Sequence, residues 1–165
     1  KAVKSLKLKG MATADKKAAR NTNEGLIYSY IHTGSKLGIL LEINCETDFV
    51  ARREEFSELA KNIAMQIASN PELKVVSKDD ISESVKADVR KFENAKENLQ
   101  DNPEEIRNKI VEGRVEKALK KQVLLEQEYI RDSTITVNEY IKQIVSLLGE
   151  NIKVTRFTRY VLGET

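Results

Sequence analysis

Side chains able to move a proton or attack a carbon near neutral pH are few: histidine and cysteine occur once each, as His32 and Cys45. His32 stands beside Thr33-Gly34-Ser35-Lys36, a turn signal, where a single histidine reads as a hydrogen-bonded structural residue. Cys45 could act as a nucleophile only with a lowered thiol pKa and a base in reach. Pairing it with His32 needs a geometry that spacing does not show, and buried packing is the favoured reading. Without a cysteine pair, a second histidine or an Asp-rich loop of EF-hand pattern, no metal site is expected. A GxxxxGK phosphate loop is also missing, so the chain is not expected to hold a nucleotide or any other cofactor itself.

The unusual stretch is Asn44-Cys45-Glu46-Thr47-Asp48-Phe49-Val50-Ala51-Arg52. Strand-like alternation has just stopped there and helical periodicity has not begun. An acid and a large aromatic stand side by side. One reading is local: Thr47 or Asp48 caps a helix and Phe49 packs as its staple. The other is functional: Phe49 projects as an anchor for a partner's pocket, with Asp48 placed to act on a charged site nearby.

The elements that must position these residues follow from periodicity. Residues 26–31 are rich in β-formers, and residues 37–44 alternate, with Leu37, Ile39, Leu41 and Ile43 on one face. Two such runs across a short Gly-containing turn predict a β-hairpin with one buried face. Phe56, Leu59, Ala60, Ile63 and Ile67 then form a helical stripe that ends before Asn70-Pro71. Ser77 with Asp80 reads as a cap pair opening a polar surface helix that includes Val85, Val89, Phe92 and Leu99. Asn102-Pro103 places a cap and a first-turn proline before a helix using Ile106, Ile110, Val115 and Leu119. The segment Val123-Leu124-Leu125-Glu126-Gln127 reads as apolar enough to cross the core. Thr136-Val137-Asn138-Glu139 is a capping box for a helix stopped by Gly149. A last strand spans residues 152–162, and its alternation slips at Phe157, which predicts a bulge or a strand apolar on both faces. The expected fold is α+β: a small antiparallel three-stranded sheet, hairpin plus C-terminal strand, covered by helices on one side.

Composition narrows the function classes. The chain has 165 residues, 40% hydrophobic and 33% charged, which suits one helical, charge-rich domain with a real core. No apolar run approaches the ~18 residues of a membrane helix, so no membrane partner is expected. A single cysteine allows no intrachain disulfide and fits a reducing compartment. Seven lysines and arginines against Asp15 alone give residues 1–20 a charge of +6, and the net +2 leaves −4 for the rest. Residues 1–9 read as a helix end stopped by Gly10, and residues 11–23 as a linker or exposed helix. An RNA-binding module using this arm is the alternative function, with a steep salt dependence expected. The arm lacks interleaved aromatics, and a solvated helix end is the favoured reading, so nucleic acid is disfavoured. The chain opens at Lys1 without a Met or a signal-peptide pattern, and the expectation is that sequence has been removed upstream.

Residues 44–52 resemble the signature of the elongation factor Ts family, in which a strand leads into Thr-Asp-Phe-Val. Gly10-Met11-Ala12-Thr13-Ala14-Asp15-Lys16-Lys17 is similar to that family's linker, and Ile63-Ala64-Met65-Gln66-Ile67-Ala68 to the helix after its signature. Further similar blocks are Lys109-Ile110-Val111-Glu112-Gly113-Arg114, Leu124-Leu125-Glu126-Gln127, Gly149-Glu150-Asn151-Ile152-Lys153-Val154, Arg156-Phe157 and Gly163-Glu164. They run through nearly the whole chain in the family's order.

The resemblance implies a guanine-nucleotide exchange factor, not an enzyme, that binds elongation factor Tu in its GDP form during translation elongation. Thr47, Asp48, Phe49 and Val50 would press on the GTPase near its magnesium site, with His32, Asn44, Cys45 and Arg52 as candidate supporting residues. Residues 1–23 would be the end of the N-terminal helical module and linker, and residues 24–165 the family's core, dimerisation-type domain. Only residues 1–9 of that module stand before Gly10, and the core subdomain is single where longer members duplicate it. The form looks closest to cyanobacterial and plastid members, which implies bacterial cytoplasm or plastid stroma. A homodimer is a candidate arrangement, through the last strand or the helix from Thr136.

Overall fold

The computed structural model describes residues 2–96, 99 and 101–164. The order is α1 (Ala2–Lys17), β1 (Glu24–Ile31), β2 (Leu37–Cys45), α2 (Asp48–Ala51), α3 (Glu54–Ser69), α4 (Glu83–Asn94), α5 (Glu104–Lys120), β3 (Glu128–Tyr129), β4 (Asp132–Thr136), α6 (Val137–Leu148) and β5 (Ile152–Val161). Short 3-10 turns occupy Lys78–Asp80 and Leu124–Glu126. The chain divides into two compact units, one of Lys1–Pro71 with Glu128–Thr165, the other of Glu72–Gln127.

The first unit is an α+β layer. Its sheet is antiparallel in the order β1-β2-β5, with β2 in the centre. Alternation along β2 sends Ile39, Leu41, Ile43 and Cys45 inward, all buried. The stripe of α3, Phe56, Leu59, Ala60, Ile63 and Ile67, covers that face and is fully buried. Val137, Ile141 and Val145 of α6 complete the layer. The opposite face carries exposed Ile27, Leu40 and Tyr160, so helices cover one side, as the sequence predicts.

The predicted bulge lies two residues ahead of Phe157. Glu42 pairs with Arg156 but Ile43 pairs with Val154, which leaves Thr155 as the extra residue. The shift lets Ile152 and Val154 face inward before it and Phe157 after it. A second hairpin, β3 with β4, had no clear sequence signal. Gln66 of α3 holds it, donating from Nε2 to the Glu128 carbonyl at 3.0 Å and accepting from the Ile130 amide at 2.9 Å. Tyr129 stacks on Tyr140 of α6 at 4.1 Å, and burial pushes its phenol above the ordinary range.

Gly10 does not stop the first helix, a correction to the sequence reading: α1 runs through it to Lys17. A methyl group at Gly10 would meet Ser146 Oγ of α6 at 3.2 Å, so the glycine serves close approach. Lys142 and Asp15 pair at 2.7 Å across the same contact. Lys1, at the head of the basic arm, and Thr165 lie outside the described residues.

In the second unit, Ile81, Leu99, Val111, Val115, Leu119 and Val123 form the core, with Val75, Val89 and Ile110 against it. The Ser77–Asp80 pair closes a full capping box, but around the 3-10 turn only. Ile81 turns extended and buries, so α4 starts afresh with Ser82 as its cap, a second correction. Leu99 stands beyond the end of α4, and residues 97, 98 and 100 of the expected helix lie outside the described residues. Pro103 is the cap residue of α5, not its first helical residue.

Candidate functional site

At the end of β2 the inward alternation finishes with Cys45, and the chain turns into α2. Thr47 is the N-cap, in extended conformation (φ −128°), and its Oγ1 accepts from the Val50 amide at 3.4 Å. The local capping reading therefore holds for Thr47, but the staple reading fails for Phe49. Val50 is 6% exposed and anchors the helix, whereas Phe49 is 78% exposed and points away from the chain's own core. The reason is helical spacing: neighbours on one turn face directions about 100° apart, so burying Val50 sends Phe49 outward. Asp48 pairs with Arg52 one turn on, at 3.0 Å, with the arginine largely in solvent and the aspartate half-buried.

The corner is tied from outside the loop as well. The Thr47 amide donates to Glu150 Oε1 at 3.0 Å, and Thr47 Oγ1 donates to Glu150 Oε2 at 2.7 Å. Glu46 Oε1 in turn accepts from the Asn151 amide at 2.7 Å. Asn151 Nδ2 donates to the Arg20 carbonyl at 2.8 Å, and Lys17 Nζ to the Gly149 carbonyl at 2.6 Å. The end of the basic arm, the end of β2 and the α6–β5 turn thus converge on one point. Glu46 and Glu150 were not singled out by sequence reading. Their only signal was membership of the quoted blocks, because their partners lie 105 and 103 residues away.

The structure brings Asn44, Cys45, Thr47, Asp48, Phe49, Val50 and Arg52 into one corner. Asn44 Oδ1 accepts from the bulged Thr155 hydroxyl. Cys45 donates from Sγ to the Thr47 carbonyl at 3.1 Å and is fully buried. Burial first, and then the nearby Glu150 charge, push its thiol from an ordinary 9.0 up to about 11. That is the reverse of an activated nucleophile. His32 is not part of the corner. It lies past the other end of the hairpin, about 26 Å along the strand, where it shares a 2.9 Å hydrogen bond with the Tyr30 hydroxyl. Among the described residues, no group of His, Cys, Asp and Glu is placed to hold a metal, and no helix is long and apolar enough to cross a membrane.

The class so defined is an α+β protein with a three-stranded antiparallel sheet and an aromatic exposed at a pinned strand-to-helix corner. Comparison with known proteins is specific. The family model described as elongation factor TS matches residues 11–164. The chloroplastic elongation factor Ts of Phaeodactylum tricornutum is 82% identical, over 99% of this chain and 81% of its own. That of Rhodomonas salina is 57% identical over 99% of this chain and 74% of its own. An elongation factor Ts of the cyanobacterium Rippkaea orientalis is 54% identical, over 99% of this chain and 66% of its own. The chain belongs to the elongation factor Ts family. Membership supports a nucleotide-exchange role on elongation factor Tu in translation elongation, a role that makes and breaks no covalent bond. The chloroplastic and cyanobacterial relatives are consistent with plastid stroma or bacterial cytoplasm.

Proposed function

We propose that this chain binds elongation factor Tu in its GDP form and promotes GDP release through residues 47–50, by disturbing the magnesium and phosphate site. The exposure of Phe49 on a corner held by Thr47 and Val50 carries this reading. An aromatic at 78% exposure gains by entering an apolar cleft, and a fixed backbone lowers the ordering cost of doing so. Asp48 beside it brings a carboxylate to groups that hold magnesium. Because the ion bridges phosphates to protein, displacing its ligands weakens GDP binding. The coupling is reciprocal, so GDP weakens the factor's own binding by the same amount; about 3 kcal/mol corresponds to roughly 150-fold.

In this reading residues 1–23 are the end of a helical module and linker, and residues 24–165 the core that carries the site. The same core pairs into a homodimer through β5, an edge strand on which Tyr160 stands exposed, a pairing testable by sedimentation. For exchange itself, elongation factor Tu loaded with a fluorescent GDP analogue is mixed with the chain and timed against excess GDP. Faster release with the unaltered chain, largely lost in Asp48→Ala/Phe49→Ala, supports the assignment. Equal acceleration by both chains overturns it.

A further inference from the structure

We infer that Glu150 is a positioning residue for the exchange corner: its carboxylate clamps Thr47 from the α6–β5 turn and so sets the direction in which Phe49 is presented. This rests on the reading of residues 47–50 as the exchange element. The helix that bears Phe49 has only four residues, Asp48–Ala51. A single turn does not sustain itself, since nucleation costs more than one hydrogen bond returns. Its orientation must come from what holds its ends.

At the first end, Thr47 spends both of its donors on Glu150, the amide at 3.0 Å and the hydroxyl at 2.7 Å. Hydrogen bonds to an ionised carboxylate are about twice as strong as neutral ones, and two from one residue fix its rotation as well as its position. The arrangement is reciprocal. Glu150 accepts from the amide of the residue after Glu46, and Glu46 accepts from the amide of the residue after Glu150. Two adjacent pairs of residues therefore lock the two corners in register. Glu150 reaches this place because Gly149 ends α6 in the left-handed region, with φ 78°, and turns the chain toward the corner.

Without the Glu150 carboxylate, the Thr47 side chain keeps only the weak 3.4 Å bond from the Val50 amide; its carbonyl still accepts from Cys45 Sγ at 3.1 Å and from the Ala51 amide at 3.2 Å, so the turn stays in place while its rotation about buried Val50 loses the two bonds that fix it. Phe49 then has to be ordered at each encounter with the partner. The cost of immobilising one such side chain predicts a fall in exchange of roughly three- to tenfold.

The test is a cycle of Glu150→Ala, Phe49→Ala and the double variant, read as fluorescent GDP release from elongation factor Tu at a temperature where every chain is folded. Native-state amide exchange at Thr47 is followed in parallel. Expected are the three- to tenfold loss in Glu150→Ala, faster amide exchange at Thr47, and a double variant no worse than Phe49→Ala alone, since a misdirected side chain cannot be lost twice. A folded Glu150→Ala chain with unaltered release, beside a defective Phe49→Ala, overturns the positioning role and leaves residues 47–50 standing. Losses that multiply in the double variant also overturn it, because they place the action of Glu150 elsewhere. Unaltered release in Phe49→Ala removes both readings together. Should Glu150→Ala not fold, Glu150→Gln keeps one acceptor and carries the test: a partial loss supports the role, and unaltered release with a freed Thr47 amide overturns it.

Discussion

Two helices of the first unit start from a threonine, and they are held in opposite ways. Thr136 at the head of α6 is capped by its own turn: its hydroxyl accepts from the Glu139 amide at 3.2 Å, and Glu139 returns to the Thr136 amide at 2.8 Å. Thr47 at the head of α2 gives its amide and hydroxyl to Glu150, which is 103 residues distant. The first device stabilises a twelve-residue helix that already buries Val137, Ile141 and Val145. The second orients a four-residue turn with one buried side chain. A local cap strengthens a helix and leaves its direction to packing, whereas a distant cap lends little length but determines direction. Only the second arrangement suits an element that must hold an exposed aromatic steady.

This contrast can be broken at its foundation, at Gly25. The φ of +146° there is hostile to any side chain, and a Cβ would lie 2.2 Å from the Ile43 carbonyl oxygen. Gly25→Ala is expected to destabilise the sheet under the corner by about 3 kcal/mol or more, read as a lowered midpoint in urea. Phe49→Ala should do the opposite. An unaltered melting temperature, because the side chain touches little, would accompany a loss of exchange of roughly thirtyfold, the size of a ~2 kcal/mol hot spot.

Glu139→Ala sharpens the comparison from the other side. Removing half of a capping box should cost about 1 kcal/mol in chemical denaturation while GDP release by the folded chain stays unaltered. A matching loss of exchange would mean that α6 itself, rather than its terminal turn, acts on the corner.

The smallest effect concerns Cys45. Its thiol is held up to about 11 in the folded chain against an ordinary 9.0, so the folded state keeps a proton that the unfolded state gives up. Its contribution is fully present below pH 9 and is lost as pH rises toward 11. Cys45→Ala should therefore flatten the alkaline fall in stability over that window, and alkylation of the native thiol should be slow until the chain unfolds. Rapid native alkylation at neutral pH would contradict the buried site.

Much of the fold was legible because its causes are short-range. The hairpin follows from period-two apolar residues around a Gly-containing turn, α3 from one apolar stripe, and the start of α6 from a box of four residues. Even the bulge announced itself as a slip in alternation near Phe157. Where the reading failed, distance along the chain was the reason. Gly10 has the composition of a helix stop, but Ser146 of α6 makes it a point of close approach within a continuous helix. Glu128 and Tyr129 have no strand pattern of their own and pair because Gln66 holds them. For the candidate site, residues 47–52 were recognisable as a run, while His32 proved to belong to the far end of the hairpin.

By itself, then, the sequence determined the central hairpin, α3, the start of α6, their buried faces and the family, since each of these is written in residue types within a few turns or in blocks that can be matched in order. Tertiary structure alone decided that Phe49 stands in solvent while Val50 is buried, and that Glu46 and Glu150 bind across two corners. Exposure is defined by what the rest of the chain leaves uncovered. A carboxylate's partner is whichever amide the fold brings within 3 Å, and no local pattern encodes either.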